Sequence, residues 1–172
     1  MSKIHFLFFT FLLFLFTNCK SDKSEKNFIN RTDLLQGKVI GIFDGDTYNI
    51  LMIDNQTIKV RMEGIDAPER DMPFHKASQK YLSQLIFKKE IKLYKTGEDQ
   101  YGRTLGFTYL LDGTDVNLLM LQAGMVWHYK IYNSNRNYSD AEKVARSFNK
   151  GLWIDKKPVA PWEFRKNRRR SN

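Results

Sequence analysis

Cysteine is almost absent: one thiol, Cys19, in 172 residues. No internal disulfide can form, and no Cys-rich zinc site exists. Histidine is scarce as well. His5, His75 and His128 lie far apart and lack the spacing of metal ligands. No internal repeat is visible. Acidic residues are the minority charge, 19 against 28 Lys and Arg, which leaves the chain at +9. An excess of that size suits an anionic partner, a nucleic acid or a membrane surface, and it suits plain solubility equally well. Long apolar runs are also lacking. The run from Ile4 to Phe16 falls short of the ~20 residues that a membrane span requires.

What is there suffices for one ordinary domain with a core. The apolar run follows Lys3 and reads as the core of a signal peptide. Leu15-Phe16-Thr17-Asn18-Cys19 resembles a bacterial lipobox, whose cysteine becomes the lipidated first residue of the mature protein; Asn18 departs from the small residue usual before that cysteine. Residues 20–33 are polar and have the composition of a tether. The expected organisation is a signal peptide over 1–19 with Cys19 as lipidation site, the tether, a folded domain over 34–157, and a basic tail over 158–172. A monomeric envelope lipoprotein is favoured over plain secretion, and plain secretion over a retained hydrophobic anchor.

The domain is organised around Asp44-Gly45-Asp46-Thr47 and Arg61-Met62-Glu63-Gly64-Ile65-Asp66-Ala67-Pro68-Glu69. Between them, Tyr48 to Ile53 and Gln56 to Met62 read as a hairpin with Asp54-Asn55 at the turn. A two-residue turn there sets Asp46 opposite Glu63, puts Arg61 on the face of both, and leaves Asp66 just past the ladder. Acids and an arginine gathered at one edge are costly unless a cation or an anionic substrate uses them.

The remaining pattern is short strands with helices between. Gly37 to Phe43, Glu90 to Lys95 and Thr104 to Leu111 read as strands, and Phe74 to Lys88 as a helix with an apolar stripe. Asp115 is placed to cap a second helix closed by Gly124, and Ser139-Asp140-Ala141-Glu142 has the form of a capping box opening a third. Leu152-Trp153 is expected to pack back on the barrel. Pro158 to Trp162 reads as extended, and Arg165 to Arg170 as a solvated basic tail that attracts polyanions loosely. The order excludes an alternating parallel sheet. It suits an α+β, mainly β, domain: a five-stranded OB-type barrel with about three helices.

Asp44-Gly45-Asp46-Thr47, Arg61 with Ile65-Asp66-Ala67-Pro68-Glu69, Tyr101-Gly102-Arg103, Asn117-Leu118 through Ala123-Gly124 and Gly151-Leu152-Trp153 together resemble the thermonuclease (staphylococcal nuclease-like) family over about Gly37 to Trp153. Each short motif is weak alone; several in order make a strong signal. The resemblance implies a calcium-dependent phosphodiesterase that cleaves DNA and RNA with low sequence specificity. It implies Asp46 and Asp66 as carboxylate ligands of Ca2+, with the backbone carbonyl of Ala67 as a third where the family pattern has threonine. It implies Glu69 as the group that addresses the attacking water, and Arg61 and Arg103 as a clamp on the scissile phosphate. Tyr101 and Tyr132 resemble residues that bind a terminal phosphate or stack near a base. Gln100 stands where the pattern can have lysine, and Lys130 is a candidate to replace that contact in part.

The chemistry accords with those residue types. Calcium takes hard oxygen ligands and neutralises phosphate charge. Arginine is always charged and can grip phosphate with two parallel hydrogen bonds. Losing one such donor to a transition state typically costs ~3–4 kcal/mol. The alternative is a non-catalytic nucleic-acid-binding lipoprotein on the same barrel. It predicts loss of a key acid or arginine, and none is lost.

Overall fold

The computed structural model describes residues 33–171. The expected leader, Cys19 and all but the last residue of the tether lie outside them. The elements are β1 (Leu34–Ile42), β2 (Thr47–Met52), β3 (Thr57–Met62), β4 (Ile65–Asp66), α1 (His75–Ile86), β5 (Glu90–Glu98), β6 (Thr104–Leu110), α2 (Val116–Gln122), β7 (Trp127–His128), α3 (Arg136–Ser147), a 3-10 turn over Gly151–Ile154 and α4 (Pro161–Ser171).

Five strands close into a barrel in the order β1-β2-β3-β6-β5, while β4 and β7 pair as a small separate ladder. The β3–β6 pairing is parallel and the other barrel pairings are antiparallel. The fold is the expected α+β class built on a five-stranded barrel, with four α-helices among the described residues rather than three. Alternation along the strands buries Val39, Ile50, Val60, Ile91 and Leu93, and α1 and α2 cap this core with Leu82, Ile86, Val116 and Met120. Inside the barrel the Tyr48 hydroxyl meets Thr108 Oγ1 at 2.8 Å. The buried Asn117 donates through Nδ2 to the Glu63 carbonyl and accepts from the Thr108 amide at Oδ1, pinning α2 to β6 and to the end of β3.

A second apolar cluster lies outside the barrel. Trp127, Ala145, Leu152, Trp153 and Ala160 are buried in it, with Phe74 and Trp162 against it. Leu152 and Trp153 therefore pack on Trp127 and α3, not on the barrel as the sequence suggested. The Arg146 guanidinium lies 3.7 Å from the Trp153 ring centre and 4.6 Å from that of Trp127.

Four local expectations are corrected. The hairpin loop has three residues, Ile53 to Asn55, with Asn55 at φ 65° and Met52 bonded to Gln56 across it. The register moves by one, so Thr47 faces Arg61, and the Met62 amide reaches the Asp46 carbonyl at 2.8 Å. Glu63 thus does not oppose Asp46; its carboxylate accepts from Thr96 Oγ1. Strand β5 runs on to Glu98 through residues expected to be loop, with a bulge between Lys95 and Gly97. Helix α3 is capped four residues before Ser139, by Asn135, which accepts from the amides of Asn137 and Tyr138. The Ser139 hydroxyl instead meets His128 Nδ1 at 3.1 Å. Finally, the expected basic tail is the helix α4, opened by Pro161 at its first position with Glu163 in the first turn.

Candidate active site

Three segments build the site. The turn before β2 carries Asp44 and Asp46. Its shape is set by the Asp46 amide donating to Asp44 Oδ1 at 3.0 Å and by the Phe43 amide donating to the Thr47 carbonyl. Gly45 is required there by close approach: a Cβ would lie 1.8 Å from Ser78 Oγ on α1 and 3.0 Å from the Ala67 Cβ. The second segment, Ile65 to Glu69, leaves β3 through Gly64 at φ 74° and is fixed by pairing with β7, Ile65 to His128 and Asp66 to Trp127. The His75 ring nitrogen Nδ1 meets the Pro68 carbonyl at 2.9 Å, and the Met72 amide donates to the Glu69 carbonyl. The third segment is α4, far away in sequence.

These segments and Arg61 of β3 bring five charged groups together: Asp46, Asp66, Glu69, Arg61 and Arg165. The Ala67 amide donates to Asp46 Oδ2 at 2.6 Å and Thr47 Oγ1 donates to Asp46 Oδ1 at 2.9 Å. Arg61 lies between the two buried aspartates, with Nη1 3.2 Å from Asp46 Oδ2 and Nη2 2.9 Å from Asp66 Oδ1. Its Nη1 also donates to the carbonyls of Met62 and Ile65, both at 2.8 Å. Arg165 of α4 completes the cluster. Its Nη2 donates to Asp66 Oδ2 at 2.8 Å, and its Nη1 donates to Glu69 Oε1 at 2.6 Å and to Asp66 Oδ1 at 3.2 Å.

Electrostatics mark the same place. Burial, then the neighbouring Asp46 charge, pushes the Asp44 carboxyl up to about 7. Burial raises Asp66 too, against the hydrogen bond from Arg165. Burial and like charge make these carboxylates costly to keep ionised together, a cost that a bound cation would relieve. Among the described residues no three acidic, histidine or cysteine side chains form a ready cation cage. The donors that do converge, two buried carboxylates with carbonyl oxygens beside them, are the hard oxygens that calcium prefers, and in chemistry they fit it. Asp46 and Asp66 would hold the ion. The implied third ligand is the Ala67 carbonyl, while the Ala67 atom seen in contact here is its amide.

The other sequence candidates sit outside the cluster. Arg103 Nε donates to Asp99 Oδ2 at 2.7 Å and the guanidinium lies over the Tyr101 ring at 5.6 Å; it pairs with none of the clustered acids. Hydrogen bonds from the Arg103 and Tyr101 amides and from the Arg103 guanidinium hold the Asp99 carboxyl below the usual range, against the cost of its desolvation. Gln100 and Tyr101 are exposed on the same turn. Tyr132 is exposed and packs edge-on against Tyr129 at 4.9 Å. Lys130 Nζ is 3.0 Å from Glu142 Oε2, so an ion pair with α3 occupies it, not a vacated phosphate contact. Arg61, two residues from Glu63 in sequence, bonds Asp46 and Asp66 in place of it.

Arg165 was missed by sequence reasoning. The signal that could have found it is Pro161-Trp162-Glu163, a helix start that turns a basic tail into an amphipathic helix.

The fold and the cluster together define a five-stranded α+β barrel protein with buried paired acids, an arginine between them and a third acid on the following loop. The comparisons give the family. Residues 59–155 match the model described as Staphylococcal nuclease homologue, and the chain belongs to that family. Similar proteins include the uncharacterized endonuclease of Haemophilus influenzae, 38% identical over 157 residues, covering 91% of this chain and 83% of that one. The micrococcal nuclease of Shigella flexneri is 36% identical over 141 residues, covering 76% and 80%. A staphylococcal-like nuclease of Arabidopsis thaliana is 33% identical over 153 residues, covering 86% of this chain and 46% of its own length.

Proposed function

We propose that this chain is a calcium-dependent endonuclease that hydrolyses phosphodiester bonds of DNA and RNA with low sequence specificity, exported and held at the cell envelope through a lipidated Cys19. The observation that carries the enzymatic reading is the Arg61 guanidinium lying between Asp46 and Asp66, with Glu69 on the same short loop. Bound calcium supplies charge neutralisation and Lewis acidity at the phosphate. The residues do the rest. Arg61 keeps the two aspartates together and turns toward one end of the barrel. Arg103, two residues before the Leu105 that pairs with Arg61, would supply a second grip on phosphate once it leaves Asp99. Glu69 orients a water and takes up its proton, a weak base that works only on a water polarised by the site. No side chain in the cluster is arranged to read base edges, which fits low sequence specificity. The leader, the lipid anchor and the monomeric state rest on the sequence alone.

The deciding assay is hydrolysis of single-stranded DNA and of RNA by the purified chain, with calcium and with EDTA. We expect cleavage in calcium, none in EDTA, and a loss of ~10²-fold or more in Glu69→Gln. Activity unchanged both in EDTA and in Glu69→Gln would sink the reading. Salt-dependent binding with no cleavage at any calcium concentration would favour a non-catalytic nucleic-acid-binding protein. Mass spectrometry of the mature N-terminus checks Cys19.

A further inference from the structure

We propose that Arg165 is a positioning residue of this site: a guanidinium delivered by the C-terminal helix that holds Glu69 beside Asp66. The proposal rests on the nuclease reading above, in which Glu69 addresses the attacking water, and it assigns that loop carboxylate its partner.

Glu69 needs one. Its side chain is a third exposed and stands on a loop. A long carboxylate in that setting samples several rotamers unless something selects one. Arg61 does not select it, because its guanidinium is spent on Asp46, Asp66 and two carbonyls. Among the described residues the cation that pairs with Glu69 is Arg165, at 2.6 Å. The same guanidinium spans to both oxygens of Asp66, so the separation of Glu69 from Asp66 is fixed by the width of one planar fork. A lysine ammonium is a point charge on a flexible stem and cannot fix it in that way.

The helix that carries Arg165 is itself held. Ala160 and Pro161 are buried. Trp162 stacks on Tyr129 with ring centres 5.1 Å apart and planes 7° apart, and meets Trp127 edge-on at 5.5 Å. One helical turn past Arg165, on the same face, Arg168 Nη1 lies 3.7 Å from Asp71 Oδ2. Both ties run to the loop that carries Glu69. A solvated tail, the role expected for this segment, would make neither.

Asp66, in holding calcium, would have to offer an oxygen that Arg165 shares. The fork can give up part of its hold on Asp66 and keep Glu69. Arg165 is therefore expected to aid turnover while opposing the metal slightly by charge, a pairing of effects that a purely structural role does not produce.

The test uses the full-length chain and the variants Arg165→Ala and Arg165→Lys. Turnover is measured on a single-stranded DNA oligonucleotide, and calcium binding is measured separately by calorimetric titration without substrate. For Arg165→Ala we expect kcat to fall at least tenfold, KM to stay within threefold, and the calcium Kd to equal or lie below that of the wild type. For Arg165→Lys we expect kcat at least fivefold below wild type with an unchanged calcium Kd. An Arg165→Ala chain that turns over as fast as the wild type, or faster, overturns the proposal; the faster outcome makes the helix a latch. A fall in kcat matched by an equal loss of calcium affinity in both variants also overturns it, since Arg165 would then only support the fold. If the wild type cleaves nothing, the nuclease reading falls and takes the proposal with it, which is a different result from a fast variant.

Discussion

Replacing Arg61 by alanine tests whether the acid pair is held together by this one side chain. The guanidinium is 13% exposed and bridges carboxylates that are 6% and 2% exposed. It also satisfies two main-chain carbonyls. Removing one partner of a buried ion pair costs ~3–5 kcal/mol, chiefly because the other charge stays buried alone. Two orphaned carbonyls add ~1–3 kcal/mol each where they stay dry, and the terms overlap because they share one group. Water can enter the space left at the barrel end, which favours the low side, so ~3 kcal/mol is the working figure. For a domain of this size that is a fall in Tm of about 10 °C. Urea denaturation and calorimetry of Arg61→Ala in EDTA read it directly. Arg61→Lys should lose roughly half as much, keeping charge without the fork. Added calcium should narrow the deficit of Arg61→Ala, because a bound cation neutralises the same two carboxylates. A loss below ~1 kcal/mol in EDTA, the range of exposed pairs, would refute the view that Arg61 braces this end of the barrel.

The other predictions separate charge, geometry and grip. Arg103→Ala removes only a partly exposed pair, so unfolding free energy should change by less than ~1 kcal/mol, while cleavage falls ~10²-fold; equal losses in both would contradict the assignment. Asp44→Asn keeps the acceptor for the Asp46 amide and removes an acid raised to about 7. A raised folded-state pKa means that Asp44 stabilises below its unfolded value of 3.8 and that this contribution is lost as pH rises through about 7. The variant should therefore be more stable than wild type at pH 8 in EDTA, by ~1–2 kcal/mol after discounting for partial solvent contact, and should lose the advantage by pH 4; paired melts at the two pH values check it. Gly45→Ala drives a Cβ into Ser78 and should cost ~1–3 kcal/mol with a matching loss of cleavage, read by melting and by the DNA assay.

The comparison of sequence with structure turns on how far apart the interacting residues lie. That Asp46, Asp66, Glu69 and Arg61 would lie together could be read in advance, because turn chemistry and alternation place acids at the end of a hairpin and short motifs carry a family; Arg103 stays on its own turn with Asp99. The Asp115 cap was legible for the same local reason: its side chain accepts from the Leu118 amide three residues on. The register was not. Whether Asp54-Asn55 forms a two-residue turn or Ile53 to Asn55 a three-residue loop depends on one residue entering the left-handed region, and both loops suit the same letters. The start of α3 was misread because Ser139-Asp140-Ala141-Glu142 and Asn135 are both good caps, and His128, folded in from β7, took the serine hydroxyl.

The sequence by itself thus determined the chemistry of the acids and arginines, the class of the fold, and the short elements whose periodicity is local. Tertiary structure decided which of those groups touch. Arg61 chose Asp46 and Asp66 over Glu63 because the register turned Glu63 toward Thr96. Arg165, 96 residues beyond Glu69, reached the site because aromatic burial around Trp127 and Trp153 gave Trp162 a place to dock. Side-chain burial is a property of the assembled surface, and no window of neighbouring letters contains it.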